Sequence, residues 1–154
     1  MLKLTPDAEF DCVVCGSCTV DVLVHPVDLQ QPIGVGKLHR VDPIGLSVGG
    51  MVSNASITMS RLGMYVAGFS AVGSDRWGDI IYGQYRDEGI HLEYIRRSDT
   101  MPTSTSVVMI DPAGDRSFIH CQGTPKRLTK DNYVSSLDLF ANSRSMLIGY
   151  YPLM

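Results

Sequence analysis

One run of the sequence constrains the fold more than any other segment. It reads "CVVCGSCTVDVLVH", begins at Cys12 and is bounded by Asp11 and Pro26. A run so dense in valine and cysteine is typical of a strand buried on both faces, as in the parallel sheet of an α/β protein. We therefore predict one core strand here, with Asp21 close to its far end.

Helical and strand patterns alternate along the rest of the chain. Helices are predicted in "NASITMSRL", "SDRWGDIIYGQYRDEG" and "LTKDNYVSSLDLFAN", and strands in "MYVAGFSAVG", "HLEYIRR" and "RSMLIGYY". This order favours an α/β fold with a mostly parallel sheet flanked by helices. Two β-rich runs around "DPAGD", residues 111–115, predict an antiparallel hairpin as an appendage.

The bulk properties of the chain exclude several classes of protein. A length of 154 residues suits one domain. A formal net charge of -3 makes nucleic acid an unsuitable partner, because phosphate binding needs a basic surface. No apolar stretch approaches the length of a membrane helix and no signal peptide is evident, so we expect no membrane partner and a cytoplasmic protein with reduced cysteines.

The cysteine spacing raises the question of a metal site, since Cys12, Cys15 and Cys18 fall at every third position. If the run is one strand, Cys12 and Cys15 lie about 10 Å apart and point to opposite faces. A ferredoxin-type run also needs a fourth cysteine followed by proline, and Thr19 begins a different continuation. We therefore predict core cysteines and no metal site.

A glycine pair with nearby polar residues is the best candidate for a binding site. Gly49 and Gly50 precede a helix that Asn54 is expected to begin, and they would expose backbone N–H groups and allow close approach of a ligand. The Asp21 carboxylate would belong to the same rim and can accept two sugar hydroxyls. From these residues alone, a structural glycine turn with an N-capping Asn and a surface Asp is at least as good an interpretation.

The same residues resemble the N-terminal half of the PfkB, or ribokinase-like, carbohydrate kinases. The spacing of Gly49-Gly50, Asn54, Ser56, Gly63 and Gly73 is similar to the family's N-terminal signature. "AVGSDRWGD" looks like the segment after the second core strand, and "GSCTVD", residues 16–21, like the first-strand end whose Asp binds substrate. The resemblance extends over nearly all of residues 1–154 and implies an incomplete ribokinase-like fold.

The resemblance also implies specific roles. The sugar would be held by Asp21, Gly49, Gly50, Asn54 and Thr19, where Thr19 stands at a position that is often Asn in ribokinases. The segments near residues 30–48 and 104–121 would form a small β lid, through which the chain could pair as a homodimer. Met51 departs from the family pattern, because ribokinases carry Lys there.

The larger departure is the absence of the family's Gly-Ala-Gly-Asp motif, which supplies the catalytic base and the anion hole. We therefore expect a complete protein that is an ATP- and Mg²⁺-dependent sugar kinase. In it, this chain would supply the sugar rim and lid, contribute no catalytic residue, hold no cofactor alone and be inactive in isolation. The alternative is a non-catalytic sugar- or nucleoside-binding remnant or a regulatory module.

Overall fold

The structure is a computed structural model that describes residues 7–31, 34 and 36–149. The strands are β1 (Cys12–Cys15), β2 (Thr19–Val24), β3 (Gly45–Gly49), β4 (Val66–Gly73), β5 (Ile95–Ser98), β6 (Thr105–Ile110), β7 (Arg116–Cys121) and β8 (Met146–Ile148). The α-helices are α1 (Gly50–Arg61), α2 (Arg76–Asp87), α3 (Lys130–Val134) and α4 (Leu137–Ala141), and Thr124–Arg127 form a short 3₁₀ turn. Within these described ranges, no helix has the length and apolar character needed to cross a membrane.

The main sheet has the order β5-β4-β1-β8, and all its strand pairs are parallel. Every residue of β1 and β4 is buried, because helices cover both faces of the sheet. Val52, Ile81 and Tyr85 from α1 and α2 pack on one face, and Leu139 and Phe140 from α4 pack on the other. The predicted α/β class, with a mostly parallel sheet between helices, is confirmed.

A second sheet stands beside the first, with the order β3-β2-β6-β7. It contains the predicted hairpin, since β6 and β7 pair antiparallel around the turn at residues 111–115. The central pair, β2 with β6, is parallel, so the sheet is mixed and not a purely antiparallel appendage. In the segment near residues 30–48, strand begins only at Gly45, and residues 32, 33 and 35 lie outside the described part.

The prediction of one core strand from Cys12 onward is wrong. The chain forms β1 in the main sheet and then β2 in the second sheet. The break falls at Gly16, whose φ of +153° is unusual for residues with a side chain, and a Cβ there would lie 2.9 Å from the carbonyl oxygen of Gly149. Asp21 consequently lies inside β2 of the second sheet and not at the end of a core strand.

The single third helix predicted from the sequence is also wrong, because Ser135 and Ser136 separate α3 from α4. Arg96 donates from Nη2 to the carbonyl oxygen of Asn132 at 3.3 Å and to the Ser136 hydroxyl at 3.1 Å. The Ser136 amide turns to the Tyr133 carbonyl instead, at 3.1 Å. A continuous helix would have used the Asn132 oxygen for that amide.

Asp75 follows the end of β4 and joins the start of α2 to the loop that leads into β6. Its carboxylate accepts hydrogen bonds from the Gly78 amide at 2.8 Å, the Thr103 amide at 2.9 Å and the Thr103 hydroxyl at 2.7 Å. Burial alone would raise the pKa of Asp75, but these hydrogen bonds outweigh it and hold the pKa below its ordinary value of 3.8. The N-cap of α2 therefore also links the helix to the loop before β6.

We predict that Asp75→Ala lowers the free energy of unfolding by about 1–3 kcal/mol at neutral pH, because two amides and a hydroxyl lose their acceptor. A carboxyl whose pKa is lowered by folding stabilises the protein above its unfolded-state pKa and ceases to do so as pH falls. The difference between wild type and variant should therefore shrink below about pH 4.

Urea denaturation at several pH values measures the difference in unfolding free energy between wild type and Asp75→Ala. Asp87→Ala is the matched control, because within the described residues that exposed carboxylate pairs only with the neighbouring exposed Arg86. We expect it to change stability by less than about 0.5 kcal/mol. Equal effects of the two substitutions would contradict the role given to Asp75.

Candidate functional site

The glycine pair lies where the two sheets meet. β3 pairs antiparallel with β2, which places Gly49 opposite Thr19 and Ser47 opposite Asp21. Gly49 is both the last residue of β3 and the N-cap of α1, and Gly50 is the first residue of the helix. The corner is thus built from an edge strand of the second sheet and the helix that returns to the main sheet.

Asp21 and Gly49 are in direct contact. A Cβ on Gly49 would lie 2.1 Å from Oδ2 of Asp21 and 3.2 Å from Cγ2 of Thr19. A real side chain at position 49 would therefore displace the carboxylate. The sequence interpretation placed these three residues in one site, and the structure does bring them together.

Gly50 is required for two reasons. Its φ is +82°, a conformation that residues with side chains rarely adopt, and a Cβ would lie 2.6 Å from the Ser17 carbonyl oxygen and 2.9 Å from the Cα of Cys18. The same Ser17 oxygen accepts a hydrogen bond from the Val52 amide at 3.0 Å. The helix start is therefore pressed against the segment that crosses from β1 to β2.

The N terminus of α1 has no side-chain cap among the residues the structure describes, and no acidic residue lies in its first turn. The first amides of a helix have no partner within the helix and carry the positive end of its dipole. This arrangement suits a ligand that brings hydroxyl or anionic oxygens next to the Asp21 carboxylate.

The other two predicted residues are placed differently from expectation. Asn54 neither begins nor caps α1; it lies one helical turn after Gly50, with an exposed side chain that makes no hydrogen bond to any residue in the described ranges. Its amide group therefore has unused hydrogen-bonding capacity. The Thr19 hydroxyl already donates to the Ser104 carbonyl oxygen at 3.0 Å, so Thr19 contributes mainly its position beside Gly49.

Asp21 has a distinctive electrostatic environment. Burial raises the pKa of its carboxyl group, and this effect exceeds the opposing influence of the Ser106 hydroxyl and the His120 imidazole. A partly buried carboxylate with few fixed donors can accept ligand hydroxyls in their place. Neither Ser106 nor His120 was identified from the sequence, because only strand register shows that they are neighbours of Asp21.

The sequence marks Met51 as a departure from the family pattern, but it does not show where the Met51 side chain lies. A Cβ on Gly149 would lie 1.8 Å from Sδ of Met51, and one on Gly16 would lie 3.3 Å from its Cε. The thioether therefore covers the ends of β1 and β8 beside the corner. An apolar side chain here makes this wall of the corner uncharged.

The buried thiols do not form a metal centre in the described part of the chain, where no three His, Cys, Asp or Glu side chains are grouped to hold an ion. Burial, assisted by Cys12, raises the pKa of Cys15 to about 12. Burial also raises the pKa of Cys18 to about 11, against opposing hydrogen bonds that include one with Ser70. Both thiols remain protonated at neutral pH and pack as small apolar groups.

A depression of about 300 Å³ lies away from the glycine corner, beside Asp75 and Asp99. Both oxygens of Asp75 are already taken, one by the Gly78 amide and the Thr103 hydroxyl and the other by the Thr103 amide. The depression therefore has a structural carboxylate at its base, and the corner at Gly49 is the better candidate.

Comparison with known proteins decides the family. Residues 9–150 match the model of the pfkB family of carbohydrate kinases. The chain belongs to this family. The resemblance found in the sequence is therefore confirmed, and the glycine corner is part of a carbohydrate kinase fold.

Individual pfkB relatives agree with this assignment. The chain is 24% identical over 120 residues to a 5-dehydro-2-deoxygluconokinase of Clostridium botulinum, covering 70% of this chain and 33% of that protein. It is 21% identical over 139 residues to a ribokinase of Dictyostelium discoideum, covering 90% of this chain and 43% of that protein.

A solved pfkB-type structure is similar as well. The structure of Arabidopsis thaliana ribokinase complexed with ribose and ATP superposes with a TM-score of 0.75 and 25% identity, covering 90% of this chain and 45% of that one. The chain thus spans between a third and a little under half of the length of the relatives it matches.

We predict that Gly50→Ala destabilises the protein by at least about 1 kcal/mol more than Gly63→Ala. Both glycines have a positive φ, +82° and +87°, but a Cβ on Gly63 would meet nothing within 4 Å. The backbone strain is therefore shared, and the difference in unfolding free energy, measured by chemical denaturation, isolates the contact of Gly50 with Ser17. Equal losses would show that this contact is not tight in solution.

Proposed function

We propose that the complete protein is an ATP-dependent sugar kinase and that this chain supplies its sugar-binding corner. The observation that carries the proposal is the contact between the Asp21 carboxylate and the backbone of Gly49 at the uncapped start of α1. The family match supports the reaction class, and the ribose and ATP bound to the Arabidopsis ribokinase support the two substrates.

The chemistry of the corner suits a polyhydroxylated ligand. A sugar hydroxyl can donate to Asp21 while its oxygen accepts from an exposed backbone amide, and Asn54 can do both with its amide group. Such paired contacts orient a hydroxyl, and orientation of the nucleophile is a large part of phosphoryl-transfer catalysis. The corner would hold the sugar, with β3 and the β6-β7 hairpin acting as its lid.

No nucleotide or Mg²⁺ site stands out among the residues that the structure describes. These residues contain no group of three acidic or histidine side chains for a cation, and both oxygens of Asp75 accept hydrogen bonds from protein donors. The sequence also lacks the glycine-rich Gly-Ala-Gly-Asp and P-loop patterns that supply phosphate-binding amides. We propose that the groups for ATP belong to another part of the complete protein.

The 154-residue chain is accordingly expected to show no ATP turnover with any sugar. A coupled ADP assay with D-ribose and D-fructose measures this, with a complete ribokinase as positive control. Turnover by the purified chain would contradict the division of labour proposed above.

The same corner would serve a non-catalytic protein that binds a sugar or nucleoside. The coding sequence that follows residue 154 separates the two functions. An in-frame Gly-Ala-Gly-Asp motif supports the kinase, and a stop codon without that motif supports the binding protein.

We predict that Asp21→Asn weakens sugar affinity at least about tenfold and does not lower the free energy of unfolding. Affinity falls because the amide replaces a charged acceptor of two hydroxyls. Stability does not fall because burial raises the pKa of Asp21, so its charged form at neutral pH is a cost to the folded state that the amide removes.

Isothermal calorimetry with D-ribose and D-fructose, paired with thermal unfolding, tests both halves of this prediction. Asn54→Ala should weaken affinity about threefold or more with little change in stability, since its side chain has no protein partner in the described ranges. Asp87→Asn, an exposed carboxylate on α2, is the matched control and should leave affinity unchanged. Unchanged affinity in both corner variants would place the sugar elsewhere.

We further propose a homodimer through the second sheet. β7 is an edge strand of this sheet, and Phe118 and Ile119 on it are 60% and 58% exposed. An edge strand with exposed apolar side chains favours association with another chain.

Sedimentation velocity over a range of concentrations should detect the dimer, and Ile119→Lys should abolish it. A monomer at every concentration would contradict the proposal.

A further inference from the structure

A row of four polar side chains crosses the second sheet. Strand register places Ser47 opposite Asp21, Asp21 opposite Ser106, and Ser106 opposite His120. Residues directly opposite one another share a face, and neighbouring strands are about 4.8 Å apart. The four side chains therefore form one line with Asp21 in its interior and His120 at its end.

Ser106 is the bridge of this row. It is only 8% exposed, and its Oγ lies 3.0 Å from Nδ1 of His120. Strand register places it directly opposite Asp21, and its hydroxyl lowers the pKa of that carboxyl group. A hydroxyl has one proton, so when Ser106 donates to Asp21 its bond with His120 requires a proton on Nδ1. The hydrogen bonds then run in one direction, from His120 to Ser106 to Asp21.

His120 is the titratable side chain that shares this row with Asp21. β3 and β6 present only Ser47 and Ser106 in this row. Arg116, at the far end of β7, and His25, just beyond β2, lie outside the row, each four residues or about 13 Å along its strand, and the Cys121 thiol next to His120 belongs to the neighbouring pair with Thr105. His120 is also the group whose charge acts on Asp21.

We propose that His120 is a positioning residue of the sugar site, which acts through Ser106 to orient the Asp21 carboxylate and to keep it ionised in mildly acidic solution. The proposal rests on the proposed function, because it concerns the same carboxylate. His120 does not need to touch the sugar; its effect reaches the ligand through the bridging hydroxyl.

The consequence is a dependence of sugar affinity on pH that is set by the second sheet. Histidine side chains gain their charge as solutions become acidic, in the direction in which carboxylates lose theirs. A charge on His120 would favour the ionised form of Asp21 and delay its protonation. Without that cation, Asp21 protonates at a higher pH, and affinity is lost at a higher pH.

Two substitutions separate the hydrogen bond from the charge. His120→Asn keeps an N–H that can reach Ser106 but never becomes a cation, and His120→Phe removes both. His25→Asn is the matched control, because it removes a histidine at the end of β2 that is paired with Asp42 and lies outside the row. Thermal unfolding of each variant verifies that it is folded. If His120→Phe does not fold, the milder substitution His120→Asn still tests the effect of the charge.

The primary readout needs no ligand. Carbon-13 NMR of the Asp21 carboxyl group follows its titration in the whole chain, and we expect the midpoint to move to higher pH in both His120 variants and to stay unchanged in His25→Asn. An Asp21 midpoint that is the same in wild type and in both His120 variants would overturn the inference.

The second readout is affinity for D-ribose and D-fructose between about pH 4 and pH 8. His120→Asn should bind within about twofold of wild type at neutral pH and lose affinity at a higher pH than wild type does, whereas His120→Phe should be weaker about threefold or more throughout. Affinity profiles of identical shape would also overturn the inference. Failure of the wild-type chain to bind either sugar would count against the proposed function, whereas the Asp21 midpoint alone decides whether His120 acts on the carboxylate.

Discussion

The close approach of Gly50 to the Ser17 and Cys18 backbone is the contact on which the rest of the structure depends. The chain leaves the main sheet at Gly16, enters the second sheet at Thr19 and returns through Gly49 and Gly50 into α1. A Cβ on Gly50 would lie 2.6 Å from the Ser17 oxygen. The segment that leaves the main sheet and the segment that returns to it can therefore touch here only because position 50 has no side chain. This contact fixes the angle between the sheets and brings Asp21 against the start of the helix.

Two carboxylates show how the same chemical group serves different purposes in this fold. Asp75 is surrounded by protein donors that hold its pKa low, so its hydrogen-bonding capacity is used within the fold. Burial raises the pKa of Asp21, and its surroundings supply fewer donors than its oxygens can accept. Unused acceptor capacity at a half-buried carboxylate is what a binding site offers to an incoming hydroxyl.

The sequence predicted the fold class, the helix in "SDRWGDIIYGQYRDEG", the hairpin and the glycine corner, because periodicity and glycine spacing are local signals. It did not predict that "CVVCGSCTVDVLVH" divides between two sheets. Val20 is buried like Val13 and Val14, so composition gives no sign of the change, and only the packing at Gly16 reveals it. The sequence also did not identify Ser106 and His120 as neighbours of Asp21. Their proximity depends on the register between strands that are distant in the chain, and the sequence of one strand does not determine that register.

The central claim is that the Gly49-Gly50 corner binds a sugar, and amide chemical-shift mapping tests it most directly. Titration of the isotopically labelled chain with D-ribose and D-fructose should produce saturable shifts, for at least one sugar, at the amides of Asp21, Gly49, Gly50 and Met51. The amides around Asp75 and Thr103 should remain unchanged. Saturable shifts confined to the Asp75 depression, or no shifts with either sugar, would contradict the account.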